Sequence, residues 1–139
     1  MSYALLANPA EAGIYFCPAE NWPDLAEAAA ARDMQLLPAV LPKGATLQGF
    51  LRQIALELQF PTWFGNNLDA LHDVLTDPEW HHNRPQLIHL AAVDSPLSEN
   101  DQDDLLEVLH SAVEVRRETT SPLWIVTGFR SVQIPQIPA

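Results

Sequence analysis

Four short apolar runs alternate with helical patterns along this chain of 139 residues, and that order constrains its fold more than any other feature. The runs lie at 14–17, 34–41, 87–91 and 123–127, and we expect them to be strands. Because a helical pattern follows each of the first three runs, the connections are crossovers between parallel strands. The predicted fold class is therefore α/β, a small, mainly parallel sheet of three or four strands packed with helices.

Helix starts are marked by side chains that accept hydrogen bonds from the first turn of a helix. The candidates are Asn21, Thr46, Asn66 or Asn67, and Ser98. A turn is predicted at 42–44, just before the helix that Thr46 caps. Pro38, inside the second run, predicts an edge strand or a bulge, because proline lacks the N–H group that a central strand needs.

The pattern with the most information follows Pro61, where an aromatic loop leads into a short helix. A helix from Leu68 to Leu75 turns its leucines toward the core. Its opposite face carries, at i, i+3, i+4 and i+7, Asp69, His72, Asp73 and Thr76. In the loop we expect Phe64 to turn inward and Trp63 to stay partly exposed.

The two aspartates of this face have different explanations. Asp69 falls in the first turn, where a carboxylate favours the helix dipole without any further role. Asp73 lies in mid-helix, four residues later, and like charges at that spacing destabilise a helix by about 0.2–0.5 kcal/mol. The face is therefore either an ordinary solvated surface or a surface that serves a cationic partner.

The ionisable residues are strongly unbalanced. The chain has 18 Asp and Glu against 7 Lys and Arg, for a net charge of −11. Residues 66–115 contain eleven acids and one base, Arg84, so ten of the excess charges lie in this segment. Such a surface repels phosphate groups, so we expect no direct binding to nucleic acid or membrane. It fits either a solvated face or a docking surface for a basic partner.

The residues from Pro61 to Asp73, PTWFGNNLDALHD, resemble the barstar family of ribonuclease inhibitors. Members carry a Pro-x-aromatic-aromatic-Gly loop followed by an Asn-Leu-Asp-Ala-Leu-x-Asp helix. The resemblance extends over roughly residues 34 to 128. It implies a barstar-like fold and an intracellular protein that inhibits a barnase-type ribonuclease, which is a basic enzyme of the secreted type, by plugging its active site with this loop and helix.

The same resemblance implies roles for individual residues. Trp63 takes the place of the loop aromatic, and Asp69 and Asp73 take those of the two helix aspartates. Asp73 corresponds to the aspartate whose carboxylate occupies the substrate phosphate position among Arg, Lys and His side chains of the enzyme. Asn67 and Thr76 belong to the same implied partner-binding surface.

Two positions depart from the family pattern. His72 stands where the family usually has tryptophan, and Ser111 aligns with a family glutamate on the later helix that also contacts the enzyme. Glu107 and Glu114 lie about one turn from Ser111 on either side, and each is a candidate to replace that glutamate. The alternative hypothesis is an immunity, antitoxin or adaptor protein that uses the same fold against a different basic partner.

The length fits a single domain spanning 1–139. By the resemblance, 34–128 is the family-like core, and 14–33 looks like the extra N-terminal strand and helix of some longer relatives. Two prolines among the last five residues predict an irregular tail at 129–139.

A metal-dependent enzyme is a further competing class, because Asp69, His72 and Asp73 share one helix face. Three further histidines follow at His81, His82 and His89, but the spacing matches no hydrolytic motif such as HExxH. The single cysteine, Cys17, cannot form an internal disulfide, which fits a reducing compartment. With no signal peptide and no long apolar run, we expect a cytoplasmic protein that is not an enzyme and uses no cofactor or metal.

Overall fold

A computed structural model describes residues 3–41, 46–91 and 97–139. Within these ranges, four strands form one sheet in which every neighbouring pair is parallel, in the order β1-β4-β3-β2. The strands are β1 (Ile14–Phe16), β2 (Gln35–Val40), β3 (Gln86–Ala91) and β4 (Leu123–Thr127). The predicted α/β class with a small parallel sheet is confirmed.

Helices connect and cover these strands. They are α1 (Trp22–Ala31), α2 (Leu47–Glu57), α3 (Leu68–Leu75), α4 (Pro78–His81) and α5 (Glu99–Arg117). Short 3-10 turns lie at Ala4–Ala7, Pro9–Glu11 and Ala19–Asn21. Helix α4 could not be predicted from the sequence, because four residues are too few to show a helical period.

Three of the predicted caps accept a backbone hydrogen bond. Thr46 Oγ1 accepts from the N–H of Gly49 at 3.1 Å, and Ser98 Oγ accepts from the N–H of Asp101 at 3.2 Å. For α3 the cap is Asn67, whose Oδ1 accepts from Ala70 at 2.8 Å. Asn21 precedes α1 but makes no side-chain cap bond, since it already has helical dihedral angles at the end of a 3-10 turn.

The two faces of the sheet are covered by different helices. On one face Trp22 at the start of α1 stacks on His89 of β3, with ring centroids 3.8 Å apart. The neighbouring β3 residues Ile88 and Leu90 instead line, with residues of α2, α3 and α5, a small apolar void. Because successive strand residues point to opposite faces, α1 covers one face and α2, α3 and α5 cover the other.

The edges of the sheet are β1 and β2. Pro38 lies in β2, in register with His89, so the predicted edge position is confirmed. The turn predicted at 42–44 lies outside the described residues. Residues 129–139 form no helix or strand, but the backbone of this tail pairs with β1. Phe16 donates to the carbonyl of Pro135 at 2.8 Å and accepts from Ile137 at 2.9 Å.

A buried arginine joins α3, α5 and the sheet. Arg116, in the last turn of α5, is completely buried, and burial lowers its pKa to about 10. Its guanidinium donates to Gln86 Oε1 at 2.6 Å and to the carbonyls of Ser121 at 2.9 Å, Arg84 at 3.0 Å and Leu75 at 3.4 Å. The Leu75 carbonyl ends α3, so Arg116 helps to fix the position of that helix.

Two histidines, His81 and His89, are buried in the fold. Burial lowers the pKa of both His81 and His89 from 6.5 to about 4, and the charge of Arg116 adds to the effect at His81. The N–H of Asn83 also donates to Nδ1 of His81 at 3.1 Å, a bond that only the neutral ring accepts. Both side chains are therefore neutral in the folded protein at neutral pH.

Titration of these two histidines should leave the free energy of unfolding unchanged above pH 6.5. It should lower that free energy as the pH drops from 6.5 toward 4. In that window the unfolded chain binds the protons that the folded chain refuses, which costs about 1.4 kcal/mol per pH unit for each histidine. Urea unfolding over a pH series measures this slope. His89→Phe, which keeps a ring against Trp22, should reduce the slope. The exposed His110→Gln should not. A stability that is flat down to pH 4.5 would contradict the assignment.

Candidate partner-binding site

Helix α3 presents its acidic face to solvent. Leu71, Val74 and Leu75 are buried, and Leu68 is partly buried against the core. The helix packs against α5. The apolar face predicted for this helix is therefore the one that packs, and the opposite face is free for a partner.

Asp69 and Asp73 are both exposed on that free face. Neither carboxylate has a hydrogen bond or ion pair within residues 3–41, 46–91 and 97–139. The ion pair formed there joins Arg84 and Asp33, at 4.0 Å, and includes no residue of α3. Two unpartnered carboxylates one helical turn apart concentrate negative charge on a rigid element.

The structure brings together the two positions that depart from the family pattern. His72 on α3 and Ser111 on α5 make a side-chain hydrogen bond, with 3.1 Å between Nε2 and Oγ. Thr76, which ends α3, donates its hydroxyl to the carbonyl of His72 at 2.8 Å. These bonds hold the end of the acidic face and link it to α5.

The two candidate glutamates both point to solvent on α5. Glu107 and Glu114 are exposed, on either side of Ser111 along the helix. In the described part of the chain the side chain of neither glutamate makes a hydrogen bond or an ion pair. Both remain candidates for a contact with a partner.

The loop before α3 is fixed at both ends. Asn66 has a positive φ of 56°, and its Nδ2 donates to the backbone carbonyl and the side chain of Gln48 at 3.2 and 2.7 Å. Phe64 is half-buried with its ring edge against Phe60, 5.1 Å between centroids. Trp63 keeps 54% of its surface exposed. The predicted orientations of both aromatic side chains are confirmed.

An open cleft lies next to Trp63. It has a volume of about 270 Å³ and is lined by Gln59, Pro61, Trp63, Asp77, Glu79, Trp80 and His82. We call it the Trp63–Trp80 cleft. This cleft was not predicted from the sequence. The available signal was Asp77-Pro78, an N-cap followed by proline at the first helical position, which marks the start of α4.

The comparison with protein families fits this geometry. A family model described as Barstar (barnase inhibitor) matches residues 34–128. The chain belongs to the barstar family. No curated protein matches the chain.

The barstar match covers β2 to β4 with the helices between them, and so includes the aromatic loop and α3. Its description is that of an inhibitor, which makes ribonuclease inhibition the activity associated with the family. β1, α1 and the C-terminal tail lie outside the match.

Within the described ranges no group of three or more His, Cys, Asp or Glu side chains is arranged to hold a metal ion. Cys17 is buried directly after β1, and burial raises the pKa of its thiol to about 11. A thiol that stays protonated is a poor nucleophile. None of the helices in the described ranges combines the length and apolar character that crossing a membrane requires.

Proposed function

We propose that this protein inhibits a barnase-type ribonuclease by placing α3 and the Trp63 loop in the enzyme's active site. The observation that supports this most directly is the pair Asp69 and Asp73, exposed and without partners in the described residues, inside the segment that matches the barstar family. A carboxylate accepts two hydrogen bonds from an arginine much as a phosphate does. The protein itself is then a plug for the enzyme and not a catalyst.

The rigidity of α3 supports the same proposal. The Asn67 cap fixes its start, the His72–Ser111 bond ties its middle to α5, and Arg116 holds the Leu75 carbonyl at its end. A surface that is already ordered loses little conformational entropy on binding, so more of the interaction energy remains as affinity. The cytoplasm, where a free buried cysteine such as Cys17 persists, is the proposed compartment.

One observation favours a second candidate, an immunity, antitoxin or adaptor protein directed at another basic partner. His72 and Ser111 replace the usual tryptophan and glutamate, and they bond to each other across α3 and α5. The partner therefore meets a small polar pair where most family members present a large ring and a charge. A target whose own surface differs at this point would fit better than barnase itself.

The proposal is tested by titrating the protein into barnase-type ribonucleases while RNA cleavage is measured. We expect activity to disappear at a one-to-one ratio.

We also expect an association rate that falls as salt is added, because a net charge of −11 attracts a basic enzyme over long range. A neutral ribonuclease of another fold is the control. Inhibition of a basic nuclease of another fold in place of barnase-type enzymes would favour the second candidate. A salt-independent association rate would contradict electrostatic steering.

A further inference from the structure

The Trp63–Trp80 cleft combines two indole rings with two carboxylates. Trp63 comes from the loop before α3, and Glu79 and Trp80 come from α4. Asp77 lies between the two helices and uses Oδ1 to cap α4, accepting from the N–H of Glu79 at 3.0 Å. The Glu79 carboxylate is exposed, and within the described ranges it has no partner.

The Trp80 side of this cleft is held in place. Its indole N–H donates to the carbonyl of Leu58 at 3.2 Å. Its ring packs edge-on against Phe60 with centroids 5.2 Å apart, and Phe60 in turn contacts Phe64. The Trp80 wall therefore exists before any partner arrives, whereas Trp63 offers an exposed ring beside it.

We propose that the Trp63–Trp80 cleft binds an arginine or lysine side chain of the ribonuclease, next to the site that α3 occupies. Tryptophan is the best aromatic partner for a cation, which it binds over its ring face. Carboxylates in the same cleft add charge-assisted hydrogen bonds. Because the occupant belongs to the ribonuclease, this inference rests on the proposed function and extends the contact surface from α3 to α4.

The charge of the cleft identifies its occupant, because a volume of about 270 Å³ accepts either a side chain or a small molecule. The cleft is lined by two acids, Asp77 and Glu79, and by one histidine, His82. No lysine or arginine among the described residues lines it. An anion or a neutral apolar ligand would leave the exposed Glu79 carboxylate without a counter-charge.

A titration with N-acetyl-arginine amide tests the cleft without any ribonuclease. The chain has four tryptophans, so the ¹⁵N-labelled protein gives four indole N–H signals, and Trp22 and Trp124 serve as internal controls. We expect saturable shifts at Trp63 and Trp80 only, and none with the neutral N-acetyl-citrulline amide. Equal shifts with citrulline would indicate a neutral small-molecule site and overturn the proposal, as would the absence of shifts at both indoles.

Paired variants separate charge in the cleft from charge elsewhere. Asp77→Asn/Glu79→Gln keeps the shapes and a capping side chain, and it should weaken binding of the arginine amide about threefold to tenfold. Asp24→Asn/Glu27→Gln removes the same charge from α1, on the other face of the sheet, and should leave that binding unchanged. Equal weakening by both pairs would show that only the net charge of the protein matters, and it would overturn the proposal that the cleft binds the cation.

The same variants separate this inference from the proposed function. If the wild-type protein inhibits a barnase-type ribonuclease and the cleft pair inhibits it equally well, the cleft proposal is wrong and the function stands. If the wild-type protein inhibits none of these enzymes, the function fails, and the arginine titration still decides whether the cleft binds a guanidinium group.

Discussion

Asp73→Ala is expected to weaken binding to a barnase-type ribonuclease by about 2–5 kcal/mol, and at least tenfold, without unfolding the protein. Buried charge pairs at protein interfaces, the barnase–barstar complex among them, show losses of this size when one partner is truncated. The loss arises because truncation leaves basic groups of the enzyme buried without a counter-charge. The fold should tolerate the change, since the Asp73 side chain is exposed and its carboxylate has no partner among the described residues.

Isothermal titration calorimetry against the inhibited ribonuclease measures the loss, and urea unfolding checks the fold. Stability should stay the same or rise slightly, because removing Asp73 relieves its repulsion with Asp69. Glu27→Ala, an exposed acid on α1, is the matched control and should bind almost like the wild type. Wild-type affinity in Asp73→Ala would show that Asp73 does not lie at the centre of the interface.

Arg116→Met is expected to lower the free energy of unfolding by about 3–5 kcal/mol, because Arg116 is completely buried and its guanidinium donates to several buried acceptors. Methionine fills much of the space but leaves Gln86 and the carbonyls of Leu75 and Ser121 without their donor. Each buried acceptor that loses its hydrogen bond costs about 1–3 kcal/mol, and the sum over these acceptors is only partly offset because a cation is no longer buried.

Denaturation in urea, followed by circular dichroism, measures this effect. Arg116→Lys should recover only part of the loss, because a compact ammonium cannot reach acceptors that the guanidinium fork spans. Arg52→Met, which removes an exposed arginine from α2, should change the free energy of unfolding by less than about 0.5 kcal/mol. Comparable stability of Arg116→Met and Arg52→Met would mean that the buried network contributes little.

Local sequence patterns were sufficient to predict most of the architecture. The four apolar runs became the four parallel strands, and Thr46, Asn67 and Ser98 cap the helices that they were expected to cap. The faces of α3 followed from its helical period because its leucines must be buried. The aspartates then had only the solvent side left to occupy.

Features that depend on contacts between distant segments were not predictable in the same way. Arg116 is followed by a second arginine at the end of α5, where a cation ordinarily faces solvent near the helix C-terminus. Only the packing of α3, β3 and the segment before β4 around it shows that it is buried. The Trp63–Trp80 cleft likewise forms from residues up to 23 positions apart, between Gln59 and His82.

The two edges of the sheet bear on how this protein behaves at high concentration. Exposed edge strands are templates onto which other chains add by backbone hydrogen bonding, the first step toward aggregation. Here the tail occupies backbone groups of β1, and Pro38 removes one donor from β2. With one edge paired to the tail and the other interrupted by a proline, the sheet offers copies of the same chain fewer free backbone groups for pairing.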